Sequence, residues 1–244
     1  LEEWVCTLTK FKLARFFNIN ISLNGFINNE KLHYFLNKYV ANDDLLIESF
    51  TKRYAAVATE LETGRELWLT KGSLINAVWS SIALPGMFPP IKNKNKWLVD
   101  GGLVNPVPVS VCRALGANIV IAVNLNGDIL RKRFQHPKDR IKQNTGVVGK
   151  VTYFVKEYTN SVFTNTNRDD QPPSLFDAIV GSINITQDRI TRSRMAGEPP
   201  DIMLSPKLSD IGLLEFYRAS EAISEGKKCV QRLIPEINYV LEMG

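Results

Sequence analysis

The sequence holds 244 residues, 44% of them hydrophobic and 23% charged, a balance that excludes a disordered chain and allows one sizeable domain with an apolar core. The net charge of +5 is mild for a nucleic-acid binder and also suits a protein that meets anionic lipid surfaces; charge alone does not choose. The three cysteines, Cys6, Cys112 and Cys229, are far apart and include no Cys-x-x-Cys pair, which argues against a disulfide framework and a zinc site. They are expected in the core of a protein from a reducing, cytoplasmic compartment.

No run reaches the ~18 consecutive apolar residues of a membrane span. The first residues lack the basic and apolar regions of a signal peptide. Leu1, Trp4, Val5, Leu8 and Phe11 instead recur at helical spacing, so an opening helix is expected, as is a start inside a longer protein. A polar loop at 18–24 precedes a second helical pattern around Leu32, Phe35, Leu36 and Tyr39, with Asn28 or Asn29 as its cap. Tyr54 to Leu61 reads as a strand, Thr63-Gly64 as a turn, and Glu66 to Thr70 as the returning half of a hairpin. Gly72 to Ser81 reads as a helix ending before Pro85.

Trp97-Leu98-Val99 is a short apolar run that stops at Asp100-Gly101-Gly102. Asn105 and Pro106 have the residue types of an N-cap and first helical position, and Gly116 closes that helix. Asn118 to Val123 follows as a doubly buried strand, completing a strand–helix–strand unit with an at least partly parallel sheet. The stretch 129–146 is basic, with Arg131, Lys132, Arg133, Lys138, Arg140 and Lys142 against Asp139 alone. Such a run is either a solvated loop or a contact for anionic headgroups. Helices are expected at 147–163 and from Ser174 to Met195, with a polar break at 165–173 between them. A short strand at 201–204 precedes final helices over 212–243, interrupted at Gly226 or Pro235.

The sharpest feature is the segment Trp97-Leu-Val-Asp-Gly-Gly-Leu-Val. A carboxylate beyond the carboxyl end of a parallel strand points into the usual ligand site of an α/β fold. Two glycines after it let the backbone turn tightly and let a partner come close. The competing reading is a plain hairpin turn, for which Asp-Gly is a strong signal. Asn105-Pro106 favours the first, because it opens a helix rather than a return strand. Met87, Phe88, Pro89 and Pro90 fit either an acyl pocket near Asp100 or buried packing.

Several segments in series resemble the patatin-like phospholipase family, in the bacterial branch related to the neuropathy target esterase domain. They are Ala58-Thr-Glu-Leu-Glu-Thr-Gly, Ala77-Val-Trp-Ser-Ser-Ile-Ala-Leu-Pro-Gly-Met-Phe-Pro-Pro, Leu98-Val-Asp-Gly-Gly-Leu-Val-Asn-Pro-Val-Pro-Val and Leu115-Gly-Ala-Asn-Ile-Val-Ile-Ala-Val-Asn. The late segments Arg192-Ser-Arg-Met-Ala, Pro200-Asp-Ile-Met-Leu-Ser-Pro and Leu214-Glu-Phe resemble that branch too. The resemblance implies a three-layer α/β/α domain with a mostly parallel central sheet, incomplete at its N-terminus. Its core would comprise 25–128 and 173–244, around an insertion at 129–172. It further implies a Ser–Asp dyad in which Asp100 accepts the serine proton and Gly101 and Gly102 shape its approach. The family's nucleophile lies in a Gly-x-Ser-x-Gly elbow, preceded by a glycine-rich oxyanion loop.

Neither Gly72-Ser73-Leu nor Gly181-Ser182-Ile continues to the second glycine of that elbow. The missing nucleophile is therefore expected upstream, and the 244 residues alone are expected to be inert. Only His33 and His136 could serve a histidine-dependent triad, and both fit structural or surface roles. Gly146-Val-Val-Gly-Lys-Val-Thr fails as a phosphate loop, having Asn144 at the first glycine position and Val151 at the Ser/Thr position. The expected function is a lipid acyl hydrolase acting on fatty-acyl or phospholipid esters, without metal, organic cofactor or nucleic acid, in the cytoplasm or peripherally at an anionic membrane. The alternative is a non-catalytic lipid-binding or interaction protein that keeps the fold.

Overall fold

The computed structural model describes residues 2–16, 29–39, 41–42, 44–128, 175–212 and 215–243. The loop at 18–24, the basic stretch with His136, the expected helix at 147–163 and the polar break at 165–173 lie outside the described residues. The chain opens with α1 (Glu2–Cys6) and α2 (Lys10–Phe16) rather than one helix. Thr7 donates its hydroxyl to the Trp4 carbonyl at 2.8 Å, and Thr9 Oγ1 accepts the Lys12 N–H at 3.2 Å. Threonines bonded to nearby backbone compete with the helical ladder, so the turn breaks there. Leu8 is buried but Phe11 is exposed, so the five apolar residues do not share one covered face.

α3 (Asn29–Tyr39) follows as expected. β1 (Ala56–Glu60) and β2 (Glu66–Leu69) form the expected hairpin, with Ala56 opposite Leu69 and Thr59 opposite Glu66. Gly64 takes φ 68° in its turn, a conformation that costs glycine little. α4 (Leu74–Ser81) starts at Ser73, whose Oγ accepts the Asn76 N–H at 3.4 Å. α4 packs its apolar face on β1: Leu74, Ile75 and Ala77 are buried with Ala56 and Met87 in one cluster. Met87 thus takes the packing role, and burying a side chain such as Ile75 contributes about 1.5–3 kcal/mol.

β3 (Ile91–Asn93) and β4 (Lys96–Asp100) form a second hairpin, and β4 also pairs with β1. The resulting four-stranded sheet, β2-β1-β4-β3, is antiparallel throughout. After α5 (Val109–Ala114) comes β5 (Ile121–Val123), which pairs in parallel with β6 (Ile202–Leu204), reached through α6 (Leu175–Gly197). The chain is α/β, as expected. Parallel pairing is nevertheless the minority among the described residues. β4 has β1 on one edge and β3 on the other, so β5 cannot join it, and the expected strand–helix–strand unit divides between two sheets.

Four further expectations are corrected. The helix after the Asp100 turn begins at Val109, because Asn105 donates its amide to Glu66 and Ser110 instead of capping. β5 is covered on one face only: Ala122 is buried, whereas Ile121 and Val123 are exposed. α7 (Ala219–Met243) runs unbroken through Gly226 and Pro235. Its stripe of Cys229, Leu233, Ile237 and Val240 packs against Ile202 and Leu204 of β6, and that burial outweighs the local cost of proline. Cys229 alone of the cysteines is in the core; Cys6 and Cys112 are exposed. Among the described residues no helix is long and apolar enough to cross a membrane.

Candidate active site

β4 delivers Asp100 to the end of the antiparallel sheet, opposite Ala58 of β1. Its backbone is held at both groups: the N–H donates to the Ala83 carbonyl at 3.0 Å, and the carbonyl accepts the Thr59 hydroxyl at 2.8 Å. The chain then turns through a 3-10 segment at Gly101–Leu103. The Gly102 N–H donates to Asp100 Oδ1 at 2.6 Å, which fixes the carboxyl over its own turn. The turn is therefore an Asp-capped strand-to-helix passage and not the two-residue hairpin that Asp-Gly also permits.

Gly101 and Gly102 have different reasons to be glycine. A Cβ at Gly101 would stand 2.2 Å from the Val57 carbonyl oxygen, inside the backbone of β1. At Gly102 it would meet the Gln187 side-chain nitrogen at 2.5 Å and Asp100 Oδ1 at 2.9 Å. The first glycine lets the turn lie on the sheet; the second leaves space beside the carboxylate.

Behind the turn sits a polar node. Asn105, 2% exposed, donates from Nδ2 to Glu66 Oε1 at 2.7 Å and to Ser110 Oγ at 3.3 Å. Glu66 Oε1 also accepts from Trp68 Nε1 at 2.7 Å, and its Oε2 pairs with Arg194 of α6 at 2.8 Å. One carboxylate thereby joins β2, the turn after Asp100 and α6.

Asp100 opens onto a cavity of about 380 Å³. Tyr54, Ser81, Asn124, Asn126 and Gln187 are among its walls, and no Lys or Arg lines it among the described residues. Burial pushes the Asp100 carboxyl above the ordinary aspartate range, and the Gly102 N–H partly opposes that shift. The other candidates stand elsewhere. Ser73 caps α4, Ser182 donates to the Ala178 carbonyl on α6, and His33 stacks 5.6 Å from Trp79. Gln187, Asn126 and Glu66 were not legible as site residues, since no spacing marks them.

The family model described as patatin-like phospholipase matches residues 3–113. An NTE family protein of Mycobacterium tuberculosis H37Rv is 26% identical over 268 residues, covering 92% of this chain and 74% of its own length. Another from the same organism is 25% identical over 182 residues, covering 75% of this chain and 29% of its own. A lysophospholipase NTE1 of Pyricularia oryzae is 27% identical over 188 residues, covering 75% of this chain and 11% of its own. Residues 3–113 thus carry the patatin-like phospholipase match, and the similarity to NTE family proteins extends over most of the chain.

The matched segment contains β4, Asp100, Gly101, Gly102 and, of the polar node, Glu66, Trp68, Asn105 and Ser110, whereas Arg194 lies beyond it. The opposite wall of the cavity, with Asn126 and Gln187, comes from beyond the family model's limits.

Proposed function

We propose that this patatin-like domain is a serine acyl hydrolase for fatty-acyl esters, with Asp100 as the proton acceptor of a Ser–Asp dyad. The observation that carries the reading is the clamped, partly buried Asp100 carboxyl beside an open cavity. A raised pKa makes a carboxylate a stronger base, and the Gly102 bond occupies Oδ1 and leaves Oδ2 to accept a proton. Among the described residues Oδ2 has no hydrogen-bond donor.

The nucleophilic serine stands on a Gly-x-Ser-x-Gly segment that these 244 residues do not contain. Its Oγ attacks the ester carbonyl as its proton passes to Asp100, and backbone N–H groups of a glycine-rich loop outside these residues hold the oxyanion. The proton then leaves with the alcohol. The family description and the printed name of the fungal lysophospholipase support a lipid ester as substrate. Gly101 and Gly102 shape the approach to Asp100 by the two close contacts described above.

The test is Asp100→Asn in the full-length protein. Asn keeps the size and still accepts the Gly102 N–H, but it cannot take a proton. Acyl hydrolysis should fall by about 10²–10⁴-fold with little change in melting temperature. A folded variant within about twofold of wild type would mean that Asp100 only shapes the turn. The 244 residues alone should hydrolyse a nitrophenyl ester no faster than a buffer blank.

A further inference from the structure

Gln187 has no part in the acylation chemistry above, yet it stands at the wall of the same cavity. Its Oε1 accepts from Asn126 Nδ2 at 2.8 Å, and the Asn126 backbone N–H donates to Asn124 Oδ1 at 3.0 Å. These bonds set the amide's orientation, with its oxygen toward the loop after β5 and its NH₂ toward Gly102. The position of an added Gly102 Cβ lies 2.5 Å from Gln187 Nε2 and 2.9 Å from Asp100 Oδ1. Donor and carboxyl group therefore converge over a residue with no side chain. Among the described residues Nε2 has no acceptor.

We propose that Gln187 and Asp100 form a donor–acceptor pair that holds one neutral hydroxyl oxygen. The hydroxyl accepts an N–H from Gln187 and donates to Asp100, leaving its remaining lone pair for attack. An anionic group does not fit the same place, because the described lining supplies a carboxylate and no cation. The inference rests on the reading of Asp100 as a proton acceptor. The hydroxyl is either the water that cleaves the acyl-enzyme or a free hydroxyl on the alcohol part of the lipid. In the first case water oxygen bonds to the acyl carbon and its proton passes to Asp100. The acyl C–O bond then breaks, the proton goes to serine Oγ, and the fatty acid leaves.

The experiment compares Gln187→Leu and the similarly sized, uncharged Gln187→Met with Asp100→Asn in the full-length protein. It measures single-turnover acylation by a nitrophenyl ester, decay of the isolated acyl-enzyme, and KM for a monoacylglycerol against its O-methylated analogue. If water is held, both Gln187 variants acylate within about twofold of wild type, but acyl-enzyme decay slows by about tenfold, the effect of one lost hydrogen bond. If the lipid hydroxyl is held, both nitrophenyl steps are unchanged and KM rises about tenfold for the monoacylglycerol alone. Wild-type behaviour in all three measurements, or a loss of every rate together with a lower melting temperature, overturns the pair. If Asp100→Asn keeps wild-type rates, it is the dyad reading that falls instead.

Discussion

Two adjacent glycines, each replaced by alanine, should separate stability from chemistry at this site. A Gly101 Cβ would sit 2.2 Å from the Val57 carbonyl oxygen and 2.5 Å from its carbon, far inside contact distance. Neither atom belongs to a side chain that can rotate away. The turn must lift from β1 by about 1 Å to restore ordinary contact at ~3.5 Å. That movement loosens the Thr59 hydroxyl bond to the Asp100 carbonyl and the Ala58–Asp100 end of the ladder. Overpacking costs about 1–3 kcal/mol, and one weakened hydrogen bond adds about 1 kcal/mol. For a chain of this size a cost of about 3 kcal/mol corresponds to a fall in Tm of roughly 6–12 °C.

A Gly102 Cβ meets the movable end of Gln187, which can swing aside. Gly102→Ala should therefore cost less than about 1 kcal/mol, or ~4 °C in Tm, while lowering activity by crowding the Asp100 carboxyl, 2.9 Å from the added Cβ. Circular-dichroism melts of both variants of the full-length protein, with esterase rates on the same samples, make the comparison. Equal melting temperatures for the two variants, or a Gly101→Ala protein within ~1 °C of wild type, would refute the assignment of Gly101 to sheet contact.

Because burial raises the Asp100 pKa, the acid limb of the kcat/KM profile should lie above the ordinary aspartate value near ~3.9, and Gly102→Ala should move it. Linkage has a defined sign here: a raised carboxyl favours folding below its unfolded pKa, and that contribution is lost as pH rises through the folded pKa. Asp100→Asn should accordingly gain stability relative to wild type at neutral pH compared with acid, read from urea midpoints at the two pH values. Glu66→Ala strands the buried Asn105 amide and the Arg194 guanidinium, so unfolding free energy should drop by about 1–3 kcal/mol in a urea titration. Pro235→Ala at an exposed position inside α7 should raise stability by up to ~3 kcal/mol, seen as a higher midpoint.

What the sequence disclosed was mostly local chemistry. The Thr63-Gly64 turn, the Ser73 cap and the glycines after Asp100 each act within a few residues, and each could be read directly. Beyond the β1–β2 hairpin, the pairing of strands could not. An apolar run such as 118–123 does not encode which edge is vacant, and β4 was already enclosed by β1 and β3. Asn105-Pro106 misled for a related reason, since the capping preference lost to a distant glutamate. Pro235 misled because the stripe on β6 is a tertiary effect. Gln187 was invisible: an amide on a helix gains meaning only when Asn126, far away in sequence, turns it toward Gly102.

The two sheets also impose an order in time. β1–β2 and β3–β4 are short-range hairpins, whereas β5 meets β6 across a wide gap, clamped where Asp201 accepts the Val120 N–H at 2.7 Å from 81 residues away. Closing a long loop is entropically unfavourable until its contacts form, so such pairings come late. The Asp100 turn rests on the early hairpins, while the cavity's other wall follows β5 and lies on α6. The carboxylate is thus in place before the pocket that gives it a use, and esterase competence should be the last property a refolding chain recovers.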